Sequence, residues 1–171
     1  MASIDIFLVA RAGAALRRLK KAGLSLVTAE SCTAGLLAAA LSHCEGAGEC
    51  LEGGFVTYTK VQKARALNVS RKLLASEGSV TARIAEAMAR GALRHSSADI
   101  ALAVTGVLGP SCDEDGNPVG LVFLCCLRRG HNPLTIEKGY GRKAHDRLRR
   151  QTVIDAFELL QGSIPRSRRT L

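Results

Sequence analysis

A single α/β sandwich is the fold class the sequence predicts, on three observations. Short apolar runs alternate with amphipathic stretches along the chain, one run (VGLVFLCCL, 119–127) is apolar nearly throughout, and no repeat or low-complexity linker divides the sequence. Strands alternating with helices place the helices against the faces of a sheet, and a strand without polar alternation is one covered on both faces. The chain has 171 residues, 47% hydrophobic and 23% charged, the balance of a packed globule and not of a disordered polymer. A domain of this length buries about 70% of its unfolded surface, so it needs no metal or disulfide to hold a core.

Each element follows from local pattern. Leu8, Ala12, Ala15, Leu16 and Leu19 recur at helical spacing with Arg11, Arg17, Arg18, Lys20 and Lys21 on the other side, and Gly23 ends that helix. Residues 24–28 (LSLVT) form a short strand running into small polar residues, and 33–41 (TAGLLAAAL) a helix whose apolar circumference buries it on most sides. Residues 53–58 (GGFVTY) predict a second strand and 60–67 a short helix. Ser70 caps a further short helix closed by Gly78, and Thr81 caps a longer one with Ile84, Met88 and Ala92 along one face. Residues 99–105 (DIALAVT) are a third strand, and 106–118, rich in Gly, Pro, Asp and Asn, an exposed loop. After the central strand 119–127, residues 134–140 predict a strand that Pro133 assigns to an edge. A last helix covers 144–161 with Leu148, Thr152, Ala156, Phe157 and Leu159 inward. One domain therefore spans 1–162, and 163–171 read as a frayed basic tail.

The formal charge of +9 is unevenly placed. Residues 1–23 carry five Lys/Arg against one acid, residues 140–171 eight against three, and the stretch between them has eleven of each. The excess sits at the two ends of the chain, which read as amphipathic helices and a basic tail, where solvated surface explains it. With 4% aromatic residues and no Trp, the chain lacks the stacking platforms of a single-strand binder, so nucleic acid is not an expected partner. Six cysteines invite a disulfide count, but the N-terminus lacks the pattern of a secretory leader. Cys125 and Cys126 are adjacent and would point to opposite faces of a strand. Reduced thiols in a cytoplasmic protein are expected. No zinc spacing and no apolar stretch of membrane-spanning length occur, so neither a metal nor a membrane is expected.

The chemistry concentrates in TAESCTAG (28–35), a strand-to-helix turn. Ligands of open α/β sheets bind beyond the carboxyl ends of strands, where backbone N–H groups at a helix start face the site. Ser31 there suits two roles. It is a nucleophile beside a ready oxyanion hole or, with Thr33, a helix cap, and position alone favours the cap. Cys32 is a rival nucleophile or a small buried residue. A serine needs a base, and none of the four histidines comes with a triad spacing. Lys63 is a candidate if burial lowers its pKa, with Tyr58 to orient it or donate a proton; otherwise it is a solvated helix lysine. VTGVLGP (104–110) brings a third hydroxyl, Thr105, to a strand end, and is neither a dinucleotide fingerprint nor a P-loop.

TAESCTAG (28–35), GFVTYTKVQK (54–63), TGVLGP (105–110) with NPVG (117–120), and LRRQT (148–152) together resemble the C-terminal domain of the competence-damage-inducible (CinA) family. Stand-alone members of that family are nicotinamide mononucleotide deamidases. The resemblance implies a three-layer α/β/α fold on a mostly parallel or mixed sheet, no metal or other cofactor, and hydrolysis of nicotinamide mononucleotide to nicotinate mononucleotide and ammonia. It implies Ser31 as nucleophile, Lys63 as base and Tyr58 as the assisting catalytic residue. Glu30, Cys32, Thr33, Thr105 and Gly106 would contact substrate, and Arg142, Arg147 or Arg149 its phosphate. The sequence departs from the family pattern at Ala34, where the family has a second glycine, at Lys60, at Leu108 and in the acidic loop 112–115. Its Phe-x-Gly-Asp-Arg element is also altered, with His145 falling where the family has Arg. The alternative to an amidase is a non-catalytic nucleotide-binding or interaction module of the same fold. The amphipathic terminal helices make a homo-oligomer the expected state.

Overall fold

Asp5 accepts a hydrogen bond from the Phe7 amide (2.8 Å) and opens α1 (Ile6–Ala22), which Gly23 closes in the left-handed conformation (φ 64°). The computed structural model describes residues 5–165. The chain continues through β1 (Leu26–Glu30), α2 (Leu36–Ser42), β2 (Leu51–Val56), α3 (Lys60–Leu67), α4 (Arg71–Glu77), α5 (Ala82–Arg94), β3 (Ile100–Gly106), β4 (Leu121–Arg128), β5 (Leu134–Gly139) and α6 (His145–Ser163).

The five strands form one mixed sheet in the order β2-β1-β3-β4-β5. β2, β1 and β3 run parallel, whereas β4 and β5 run antiparallel to their neighbours. One face carries α1, α2 and α6 over a core that includes Leu19, Leu37, Leu102, Leu124 and Phe157. The other carries α3, α4 and α5 over Val27, Leu67, Leu74, Met88 and Ala101. Cys126 belongs to the first core and Cys125 to the second, as the two-residue period of a strand requires. The result is an α/β/α sandwich with β5 at one edge, where Pro133 indicated it.

Several boundaries differ from those the sequence predicts. β1 extends through Ala29 and Glu30, because both pair with β2 and β3 and the Glu30 carboxylate finds buried donors. α2 begins at Leu36 instead of Thr33, since Ala34 (φ 52°) and Gly35 (φ 91°) lie in the left-handed region. β2 spans Leu51–Val56, which leaves Tyr58 on the connection beyond it. Residues 166–171 of the anticipated tail lie outside the described residues.

Parallel pairing makes β1, β2 and β3 end at the same edge of the sheet. Ser31, Tyr58 and the segment from Thr105 onward are thereby delivered to one rim. Gly91 keeps the second helical layer close to itself: a Cβ there would stand 2.1 Å from the Leu67 carbonyl oxygen, so α5 meets the end of α3 backbone to side.

Candidate active site

The turn after β1 is built on Glu30. Its side chain is fully buried and accepts five hydrogen bonds, from the Thr28 and Thr33 hydroxyls (3.2 and 2.8 Å) and the amides of Gly35, Leu37 and Ala38 (3.0, 3.0 and 2.9 Å). Glu30 thus caps α2 from the strand below and is spent on that task. This corrects two expectations. Neither Ser31 nor Thr33 caps the helix, and Glu30 and Thr33 hold the turn together from beneath without lining the cleft described below.

Capping by Glu30 leaves Ser31 free. Its amide donates to the Val104 carbonyl (3.0 Å), which ties it to β3, and its hydroxyl meets the Lys63 amine at 2.7 Å. Lys63 stands in the first turn of α3, which the Thr59 hydroxyl caps at the Gln62 amide (3.1 Å). The lysine side chain is 1% exposed, and its other partner is the Thr57 carbonyl (3.0 Å), so among the described residues no carboxylate neutralises it. Burial pulls its pKa down from 10.5 to about 8, opposed weakly by the neighbouring Cys32. Burial likewise pushes the Cys32 thiol up to about 12, with Lys63 pulling the other way. The thiol therefore stays protonated at neutral pH, which favours Ser31 over Cys32 as nucleophile.

A cleft of about 240 Å³ opens in front of Ser31. Cys32, Tyr58 and Gly106 belong to its wall, as do Ser79, Asp113 and His145. Tyr58 is 65% exposed and forms the rim. Thr105 is fully buried, and its hydroxyl donates to the Ser79 carbonyl (2.8 Å), so it positions Ser79 and does not itself line the cleft. None of the three arginines is among the lining residues, and Arg142 is held at the edge of the cleft, on the carbonyl between the wall residues Gly109 and Ser111. Arg142 donates to the Pro110 carbonyl (2.9 Å), Arg149 lies 3.8 Å from Asp146, and Arg147 lines a separate cavity with Lys143 and Arg150. Among the described residues no group of three His, Cys, Asp or Glu side chains comes together as a metal site, and no helix is long and apolar enough to cross a membrane.

Sequence reasoning treated Lys60 and the acidic loop as separate departures, and the structure pairs them. The Lys60 amine reaches Glu114 at 2.9 Å and Asp115 at 2.6 Å, and Asp115 also accepts from the Ser79 amide (3.1 Å). Ser79 is thus held by its carbonyl and its amide. No signal in the sequence marked it; it lies between Gly78 and the Thr81 cap, with nothing local to show that a distant loop grips it.

The profile of the CinA C-terminal domain matches residues 10–164. The chain belongs to the CinA family. Among curated relatives, a CinA-like protein of Geobacter sulfurreducens is 38% identical over 148 residues, 86% of this chain and 35% of that protein. One from Synechococcus sp. (strain RCC307) is 40% identical over 152 residues, 88% of this chain and 36% of that protein. The chain therefore spans about a third of the length of the curated relatives it matches. Among solved structures, the competence/damage-inducible protein CihA from Agrobacterium tumefaciens superposes with a TM-score of 0.89 at 38% identity, over 95% of this chain and 98% of that one. A CinA superfamily protein from Escherichia coli gives 0.86 at 33%, over 90% and 88%. The CinA fold is thus shared over nearly the whole chain.

Proposed function

We propose that this CinA-family chain is an amidohydrolase that converts nicotinamide mononucleotide to nicotinate mononucleotide and ammonia, with Ser31 as nucleophile and Lys63 as general base. The observation that carries this reading is the 2.7 Å contact between the Ser31 hydroxyl and a buried amine that has no acid partner. The resemblance of the motifs to nicotinamide mononucleotide deamidases supplies the substrate.

The chemistry follows from the contacts. With its pKa near 8, Lys63 is neutral in roughly a tenth of molecules at pH 7. The charged amine donates to both the Ser31 hydroxyl and the Thr57 carbonyl; once neutral, it keeps an N–H on Thr57 and has a lone pair to accept the Ser31 proton across the same 2.7 Å. As the Ser31 oxygen attacks the carboxamide carbon, its proton passes to Lys63. The amide of Cys32, a residue of the cleft wall, donates to no other residue among the described residues and is the donor available to the oxyanion, at about 3 kcal/mol. The Lys63 ammonium then protonates the departing nitrogen, ammonia leaves, and an acyl-serine remains. Water, deprotonated by the same amine, attacks the ester and releases the carboxylate and Ser31. Tyr58, at the rim, is placed to bear on the ring of the ligand.

Purified protein should release ammonia from nicotinamide mononucleotide, and Ser31→Ala should lower the rate on the order of 10⁴-fold or more. Unchanged release by the variant would remove Ser31 from the role. One observation favours a second reading, a nucleotide-binding or interaction module without turnover: His145 stands in the cleft wall where the family has an arginine. Calorimetric binding of the nucleotide with no ammonia formed would select it.

A further inference from the structure

Much of the wall in front of Ser31 belongs to the loop between β3 and β4, from Val107 to Asp113. Val107 and Leu108 root that loop in the first core, but from Pro110 to Asn117 it runs mostly exposed. Among the described residues, the polar ties of this stretch to the rest of the molecule are Arg142, which donates to the Pro110 carbonyl, and the groups that receive Glu114 and Asp115. Three neighbours make a socket for Asp115. The Lys60 amine meets Oδ1 at 2.6 Å, and the Ser79 amide donates to Oδ2 at 3.1 Å. Gly78 leaves the room, since a Cβ there would stand 2.5 Å from Oδ2 and 2.7 Å from Cγ.

Lys60 stands on the turn that carries the chemistry. It lies two residues after Tyr58 at the rim and three before Lys63, whose amine meets Ser31 at 2.7 Å. One turn of α3 therefore holds the base on its inner side and, through Lys60, the loop on its outer side. An isolated pair of exposed charges contributes little to a fold. Here a single ammonium meets two carboxylates, Glu114 at 2.9 Å and Asp115 at 2.6 Å, with the Lys60 and Asp115 side chains only 29% and 25% exposed. The effect reaches the cleft, because Asp115 also receives Ser79 and gives its own amide to Asp113 (3.1 Å). Ser79 and Asp113 both line the cleft. Without the ammonium, Asp113, Glu114 and Asp115 are three consecutive like charges that repel one another.

We infer that Lys60 is a positioning residue of this cleft: its two ion pairs clasp the β3–β4 loop to the turn that bears Lys63, and they hold the loop wall in the arrangement that binds the substrate. The inference rests on the amidase reading for the identity of the substrate, and on the contacts of the loop for the clasp itself. A clasp of this kind acts on affinity. When only the closed fraction of molecules binds, the apparent Kd is the intrinsic Kd divided by that fraction. Lowering the closed fraction to roughly a tenth thus weakens binding about tenfold, and the bound, reclosed enzyme turns over at its former rate. Salt is a second handle, since the screening length shrinks from about 10 Å at 0.1 M to about 3 Å at 1 M.

The test compares the full chain with Lys60→Met, which removes the charge, Lys60→Arg, which restores it, and Asp115→Asn. Exchange of the Ser79 amide hydrogen, followed by NMR, reads the clasp with no ligand present. It should quicken about tenfold in Lys60→Met and return toward the parent rate in Lys60→Arg. Calorimetric Kd for nicotinamide mononucleotide, measured in the Ser31→Ala background, should rise about tenfold with Lys60→Met, and in the active background KM should rise with kcat within about twofold. Asp115→Asn separates the clasp from bare charge: it takes a negative charge away from an anionic ligand, yet it too should weaken binding. Raising NaCl from about 0.1 to 1 M should weaken binding more in the full chain than in Lys60→Met, so that the two converge. An unchanged Ser79 exchange rate in Lys60→Met, an unchanged Kd, or tighter binding by Asp115→Asn overturns the inference and leaves the amidase reading standing. A fall in kcat at constant KM overturns it as well, because Lys60 would then act on the chemical step. A full chain that neither binds nor hydrolyses the nucleotide defeats the amidase reading, and the exchange rates still decide the clasp.

Discussion

At the scale of single residues, Lys63 is the most consequential side chain. In the proposed mechanism activity depends on its neutral form, so kcat/KM should rise with pH and level off above about 8, the value that burial imposes. The same burial costs stability. Between pH 8 and 10.5 the unfolded chain holds a proton on this amine that the folded chain does not, so folding gains stability with rising pH across that window and carries the full penalty below it. Buried thiols act in the opposite sense above pH 9, because burial raises Cys32 and Cys125 to about 12. Lys63→Met isolates the lysine. Relative to wild type, its stability should fall by about 3 kcal/mol as pH is raised from 7 to 10.5, measured by urea unfolding at each pH. A flat difference would mean that the amine is solvated in the folded state. The sequence could place Lys63 one turn after the second strand but not bury it. Its neighbours Lys60 and Arg65 suggested a solvated face, and only the approach of α3 to the end of β1 desolvates it.

At the scale of elements, the start of α2 carries the largest difference between sequence and structure. Ser31 and Thr33 read as caps because serines and threonines commonly are. The helix is instead capped by Glu30, five to eight residues before the amides it receives, from a strand position that a carboxylate seldom occupies. That reach depends on the left-handed pair Ala34 and Gly35, which turns the chain back over the strand. Glu30→Gln would set an amide N–H₂ against buried donors and should cost about 3 kcal/mol, read as a lowered midpoint in thermal or urea unfolding. Ala34 is exposed, so its methyl does not crowd the helix; its cost is backbone strain at φ 52°. Ala34→Gly should therefore stabilise the protein by about 1 kcal/mol, and a loss of stability would show that the turn is not strained. Elements with local signals were legible: Ser70 and Thr81 accept from the Leu73 and Ile84 amides, and Gly23 closes α1 as read.

For the whole molecule, the mixed sheet explains why the site was only partly legible. Three parallel strands bring Ser31, Tyr58 and the Thr105 segment to one rim, which strand order in the sequence suggested. The loop between β3 and β4 then folds across that rim through Lys60, Glu114, Asp115 and Ser79, and no local pattern records such a closure. The basic ends gain a role beyond solvation. Arg11 pairs with Glu158 (2.9 Å), Arg150 with Asp5, and Arg18 donates to the Ile164 carbonyl (3.0 Å), so the first and last helices are stitched to one another. The two thiols of β4 give these layers separate voices. Cys125 and Cys126 are consecutive yet sealed beneath different helical layers, and a thiol reagent reaches each only when its own layer lifts. Mass-resolved alkylation in mild denaturant should label the two at one rate if the sandwich opens as a unit. Different rates would make one strand a clock for two separate openings, with the layer that bears Lys63 timed by Cys125.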